Sequence, residues 1–463
     1  MRHVKVLCFL IITVTYCSCS GNLFKRPYPE QVSPIISELR DEKKIDANTK
    51  FNSFTDYGEN LLYSSERGRI AQIVGDLDVS IKNYEEAIQE VKKEEDSAEV
   101  RVSDGANQLL EVTAADDAVS YSGEEFEKNM LHTLQALNYL LKGDISNATP
   151  EVRLAGDRQA EQLKKYEQEI ADTKKQAEEK GIKFDVINDL IQKQYANLDE
   201  DAGKVKNSFQ NAYSFYLGGL IYELNDELND AYLDYKNALE IFPNNTFLQR
   251  DVIRLADKLN MKSELSQLRR RFPNASGRAE DGTDVVVIVE DGFIPEKTEL
   301  KFGISPFVQF IPGLNKVVSP DAAFALQNYN GNVKYQVASY DIMDSNGKVI
   351  GKTEPVCYLD SLAFRALKER ATERTIRQAL RIVAKSSSNK WIPGASYVNQ
   401  LSSEHADLRG WYTLPRDVQI YRNILPKGKI IVAGKPVEIS GKGGKIIHVV
   451  ATGRANYVHS AEF

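Results

Sequence analysis

Cysteine, histidine and long apolar runs are all scarce in this chain, and each scarcity excludes something. Four cysteines among 463 residues are too few for a disulfide scaffold, and Cys8, Cys17 and Cys19 crowd into the extreme N-terminus. Five histidines, none paired at metal-ligand spacing, argue against a histidine-rich metal site, and no metal or cofactor is expected. After residues 6–16 no apolar run reaches the roughly 18–20 residues that a bilayer-spanning helix requires. An excess of basic charge is missing too. With 59 Lys and Arg against 66 Asp and Glu, a net charge of −7 and a pI near 5.6, the chain is not built to neutralise many phosphates, so nucleic acid is not an expected partner. Catalytic signatures are equally wanting: HExxH, a zinc-type CxxC pair, GxSxG, a Walker loop and GxGxxG after a strand do not occur. Gly441-Lys442-Gly443-Gly444-Lys445 lacks the spacing and the hydroxyl residue of a phosphate loop and reads as a hairpin turn.

What remains is an ordinary globular composition, 42% hydrophobic and 27% charged, long enough for roughly three domains. Arg2, His3 and Lys5, the apolar stretch from Val6 to Tyr16, and small residues around Ser18, Ser20 and Gly21 have the tripartite shape of a secretory leader. Within it Tyr16-Cys17-Ser18-Cys19 resembles a bacterial lipobox, with Ser18 at the small position and Tyr16 where leucine is usual. Residues 1–18 are then expected to be removed and Cys19 to carry lipid, leaving Cys357 without an internal partner. Loss of Arg2 and Lys5 takes the charge to about −9. Ser20 after that cysteine implies sorting to the outer membrane. The sequons at Asn147, Asn244 and Asn274 matter only in a eukaryotic secretory pathway, which a lipobox argues against.

Residues 19–49 read as lipid attachment and linker, and residues 50–273 as helix. In Ala212 to Asn245, Phe215, Gly219, Tyr222, Ala231, Tyr235, Ala238 and Pro243 stand at the offsets of a tetratricopeptide repeat. Small residues let two helices approach, aromatics fill the groove between them, and proline ends the second. Two fainter copies share the phase: Gly68, Gly75-Asp76, Tyr84 and Ala87, then Tyr139, Gly143-Asp144, Ala148 and Ala155. The first helix of such a repeat lines the concave face, which puts Tyr213, Tyr216, Leu220 and Glu223 in a protein-binding groove unless the inserted residues 157–208 cover it. After Phe272-Pro273-Asn274 the pattern changes.

Residues 284–463 read as a mixed α+β domain with a largely antiparallel sheet: strands at Val285 to Glu290, Lys334 to Ile342, Lys429 to Ile439 and Ile446 to Ala455, and an amphipathic helix from Leu362 to Lys385. Glu404-His405-Ala406-Asp407 holds the elements of an acid–base pair without a nucleophile nearby, so no catalytic residue is assigned. Asp407, Arg409 and Trp411 form a candidate ligand corner, since guanidinium and indole suit carboxylates and sugars; the simpler alternative is a buried Asp407–Arg409 bridge packed by Trp411. Glu290-Asp291-Gly292 most simply ends a strand in a turn.

Taken in order, Tyr121 to Glu127 with Ala136 to Leu140, the strong repeat, Val286 to Pro295, Ala363 to Lys385, and Ala406 to Trp411 with Leu414-Pro415 resemble successive landmarks of one family over nearly the whole mature chain. It is the largely uncharacterised family of Gram-negative outer-membrane lipoproteins that contain tetratricopeptide repeats. The resemblance implies a periplasm-facing envelope protein, with partners among cell-envelope proteins linked to peptidoglycan synthesis, and supplies no catalytic residue. The expected function is a protein-binding scaffold or adaptor; the alternative is an envelope hydrolase or peptidoglycan-binding module using the C-terminal domain.

Overall fold

The computed structural model describes residues 27–43, 45–51, 60–104, 120–179, 184–275, 281–304, 322–329, 338–387 and 406–463. The chain is α+β, helical first and sheet-rich after. Its helical part runs α1 (Tyr28–Arg40), α2 (Asn60–Val74), α3 (Leu77–Asp104), α4 (Glu125–Leu141), α5 (Ile145–Glu179), α6 (Phe184–Gln194), α7 (Asp199–Ala202), α8 (Ala212–Leu224), α9 (Leu228–Ile241), α10 (Thr246–Lys258) and α11 (Lys262–Arg271). Pairs α2–α3, α4–α5 and α8–α9 pack as hairpins. Two of them are drawn together in the same way. A Cβ on Gly68 would lie 2.5 Å from the Tyr84 ring, and one on Gly219 would lie 2.6 Å from the Tyr235 ring, so each tyrosine lies directly on a glycine of the facing helix. Local signals set the starts: the side chains of Asn211 and Asn245 accept from the first free amides of α8 and α10.

One expectation for this half is corrected. Residues 19–49 hold more than a linker, because α1 puts Val32 and Leu39 into the core with no exposed surface. Of the inserted stretch, Gln159 on α5 meets the start of α8, accepting from the Asn211 amide at 2.6 Å, while α5 continues unbroken to Glu179 and α6 and α7 pack against a helix of the C-terminal half, α12 (Leu359–Ser387).

The strands are β1 (Thr283–Asp291), β2 (Lys297–Ile304), β3 (Ala322–Tyr329), β4 (Asp341–Asp344), β5 (Val349–Lys352), β6 (Glu354–Tyr358), β7 (Asp417–Leu425), β8 (Gly428–Val432), β9 (Lys435–Ile439), β10 (Gly444–Ala451) and β11 (Asn456–Glu462). They form a five-stranded sheet in the order β11-β10-β1-β7-β6, a four-stranded sheet β5-β4-β8-β9, and the pair β2-β3. Central β1 has Val285 to Val289 fully buried, as its unbroken apolar run requires when both faces are covered. It pairs antiparallel with β7 but parallel with β10, so the larger sheet is mixed. Other strand limits shift for local reasons. Residues 429–439 are a hairpin, turned at Ala433 and Gly434, both with positive φ. Of Lys334 to Ile342 the described part becomes strand only at Asp341, and β10 stops at Ala451. Helix α12 is longer than Leu362 to Lys385 and packs on β3, with Phe364 against Tyr329.

The helices cover one face of the five-stranded sheet and the four-stranded sheet covers the other. Alternation along β7 turns Arg422 to the helices and Gln419 to the second sheet, where Thr353 donates to it. The two sheets join along one margin, where only Thr353 separates β5 from β6 and Pro426-Lys427 link β7 to β8. At the opposite margin β9 and β11 are both edge strands.

Candidate functional site

The four residues expected to line an open groove are occupied from within the chain, Tyr213 and Glu223 by the sheet and Tyr216 by the neighbouring helix. Tyr213, Tyr216 and Leu220 have no exposed surface. The Tyr213 hydroxyl donates to Glu290 Oε1 of β1 at 3.3 Å, and Tyr216 lies against Tyr235 with ring centroids 5.8 Å apart. Glu223 accepts from Arg254 at 2.5 and 2.7 Å and from Arg422 of β7 at 3.3 Å. The expectation of a partner groove is thereby corrected: the face is filled in cis, by Glu290 of β1, Arg422 of β7 and Tyr235 of α9.

The covered face is unusually charged. Arg69 of α2, Glu290 of β1 and His448 of β10 are all fully buried. Arg69 donates to Glu290 Oε2 at 2.5 Å and to Gln72 at 2.6 Å, while His448 Nε2 lies 2.8 Å from the same Glu290 oxygen. Burial by itself would raise the Glu290 pKa, but the charges of Arg69 and His448 outweigh it and hold the carboxylate down to about 2. A second knot forms around Arg422, whose guanidinium is met by Glu223, Asp251 and Asp284. Such pairs have lost their hydration and depend on the geometry of their partners.

Two further carboxylates clasp the segment that contains the candidate ligand corner. Glu66 of α2 accepts from the amides of Tyr412 at 2.8 Å and Thr413 at 3.3 Å and from the Thr413 hydroxyl, and burial pushes its pKa up to about 8. Glu127 of α4 accepts from the Trp411 amide at 2.9 Å and from the Tyr121 hydroxyl, and burial raises it as well. Trp411 is 2% exposed and packs edge-on against Tyr84, while Arg409 bridges Asp407 at 2.7 Å and stands over the Tyr121 ring. Asp407, Arg409 and Trp411 are therefore committed to the fold, and the simpler alternative, an internal bridge, is the one observed. An indole with no open face cannot stack on a sugar.

Elsewhere Asp417, at the start of β7, is 1% exposed and pushed up to about 7 by burial; one oxygen accepts from Gln419 and the other has no partner. Burial also raises the thiol of Cys357, which is free. Among the described residues no group of three or more His, Cys, Asp or Glu is placed to hold a metal ion, and no helix is long and apolar enough to cross a membrane. Cys19, Glu404 and His405 lie outside the described residues.

An open feature among the described residues is the margin between β9 and β11, a groove of about 610 Å³ lined among others by Lys435, Val437, Glu438, Lys445, Val458 and Ser460. Reasoning from sequence passed over both this groove and the charged interface. The interface had a signal, since Arg69 sits among Ile70, Ala71 and Ile73 and His448 interrupts an apolar strand; the groove had none, because it arises from two strands that pair with other neighbours. No model of a known protein family matches the chain, and no curated protein matches it.

Proposed function

We propose that the protein is an outer-membrane-anchored lipoprotein facing the periplasm, and that it serves as a scaffold or adaptor in a cell-envelope complex. The observation that carries this reading is the leader-like N-terminus ending in Tyr16-Cys17-Ser18-Cys19, joined to family landmarks that keep their order along the chain. Support for tetratricopeptide-like repeats comes from the glycine–tyrosine contact repeated in α2–α3 and α8–α9 at the same sequence offset. The platform such repeats would offer here is the helices and sheet fused through their charged interface, with the binding surface on the outside of that body. A glycan-binding alternative that stacks sugars on Trp411 is disfavoured by the burial of that indole.

Labelling with palmitate tests the anchor. Cells producing the wild-type chain should incorporate label and retain the protein in outer-membrane fractions, and Cys19→Ala should abolish both. Label in the Cys19→Ala variant would refute the assignment of the modified residue. Crosslinking in living cells tests the scaffold, and finding the protein without envelope partners would refute it.

A further inference from the structure

The hydrogen bonds of the last strand leave a specific row of backbone groups unused. Gly444 and Phe463 exchange both amide–carbonyl bonds, at 2.9 and 3.0 Å. In an antiparallel ladder such pairs alternate, so on β11 the residues bonded to β10 are Tyr457, His459 and Ala461. The N–H and C=O of Val458, Ser460 and Glu462 point the other way, off the sheet, and among the described residues β11 has no strand on that side. Side-chain directions follow. Tyr457 and His459 reach the helices, donating to Leu39 O and contacting Ile73 O, while Asn456 reaches Ala433 of the second sheet. Val458 and Ser460 therefore face the groove.

Exposed edges are normally blunted by proline, lysine or a bulge. Two other edges of this fold obey that rule. β6 carries Pro355 and a register shift beside it, with Asn245 donating to the Pro355 carbonyl, and β9 carries Pro436 between Lys435 and Glu438. β11 has neither proline nor lysine, and its pairing with β10 runs without a shift. This edge lacks those devices, and it borders the 610 Å³ groove.

We propose that β11 is a docking site for a single extended polypeptide segment of a partner protein, which adds as a further strand of the five-stranded sheet and places alternate side chains in the groove beside Val437 and Val458. The rim carries both signs, with Lys435 and Lys445 beside Glu42 and Glu438, so it selects no strongly charged ligand and the backbone edge dominates recognition. A second copy is the poorer occupant. Two-fold pairing requires a self-complementary surface, and β11 lies in a concave seam with β9 standing across it. The proposal deepens the scaffold reading and rests on it for the existence of a partner.

Selection of a displayed library of random linear peptides on the full-length chain supplies the probe. Selected peptides should have apolar residues at alternate positions and should slow amide exchange at Val458, Ser460 and Glu462. N-methylation of the peptide amides facing β11 should weaken binding by about tenfold or more, since each removes a backbone hydrogen bond, whereas methylation in the opposite register should not. Ser460→Pro should cause a similar loss with the melting temperature retained, because that N–H points away from β10 and meets no partner among the described residues. Failure to select a peptide, protection elsewhere, equal effects of both methylation registers, or β11-dependent dimers in sedimentation would each overturn the proposal. Envelope crosslinks that persist undiminished in Ser460→Pro would overturn it while leaving the scaffold reading intact; absence of crosslinks from the wild type would overturn that reading instead.

Discussion

Glu66 and Glu290 lie on the two sides of one buried interface and respond to pH in opposite directions. Glu66 is raised by burial from 4.5 to about 8, so across that interval the folded chain keeps a proton that the unfolded chain has lost. Stability must fall as pH rises through it, by up to about 1.4 kcal/mol per pH unit from this group. Glu290 is lowered to about 2 by Arg69 and His448, so its contribution is present above the ordinary carboxylate pKa and is lost as pH falls through about 2. Urea midpoints measured over pH should trace both limbs, and Glu66→Gln should lessen the fall between about pH 4.5 and 8, to which Asp417 also contributes. An unchanged fall over that interval would show that other groups drive it. Arg69→Met should cost about 3–5 kcal/mol by leaving the buried Glu290 with only His448 and the Tyr213 hydroxyl, and denaturant unfolding would measure it. At this scale the sequence was legible in part. Asp407, Arg409 and Trp411 were picked out by type, but whether a guanidinium meets a ligand or a neighbouring carboxylate depends on burial, which residue type does not encode.

Helices and strands were more legible because their signals are local. Asn211, Asn245 and the glycine–tyrosine spacing mark α8, α9 and α10, and the run Val285 to Val289 marks a strand covered on both faces. What local signals could not show was the object that α8 packs on: the face bearing Tyr213, Tyr216 and Leu220 is equally suited to a foreign segment and to the chain's own β1. The parallel β1–β10 pairing was hidden for the same reason, since its partners lie far apart in sequence. Gly219→Ala should destabilise by about 1–3 kcal/mol, because the new methyl would lie 2.6 Å from the Tyr235 ring. Thermal unfolding checks this, and Tyr235→Leu in the same chain should recover part of the loss. Tyr216→Ala with Leu220→Ala should act on folding, lowering stability by several kcal/mol as paired core truncations do. A double variant with wild-type unfolding behaviour would reopen the question of a groove.

As a whole the molecule behaves, on this geometry, as one cooperative body, because the interface between helices and sheet is interior to both. A fragment comprising residues 50–273 would expose Arg69, Glu66 and the aromatic face of α8, and it should lack a sharp unfolding transition where the full chain has a single one. Calorimetry of the two preparations decides this, and two independent transitions in the full chain would contradict it. The meeting of α1 with β11 adds a matter of timing. The Leu39 carbonyl finds the Tyr457 hydroxyl 418 residues later, and Glu66 finds the Thr413 amide 347 residues later. At roughly 5–20 residues per second of synthesis, the helical half waits about 20–70 s for the strands that neutralise and cover it. Its earliest helices therefore need to be sheltered, by a chaperone or by delayed folding, until nearly the last residue of the chain is free.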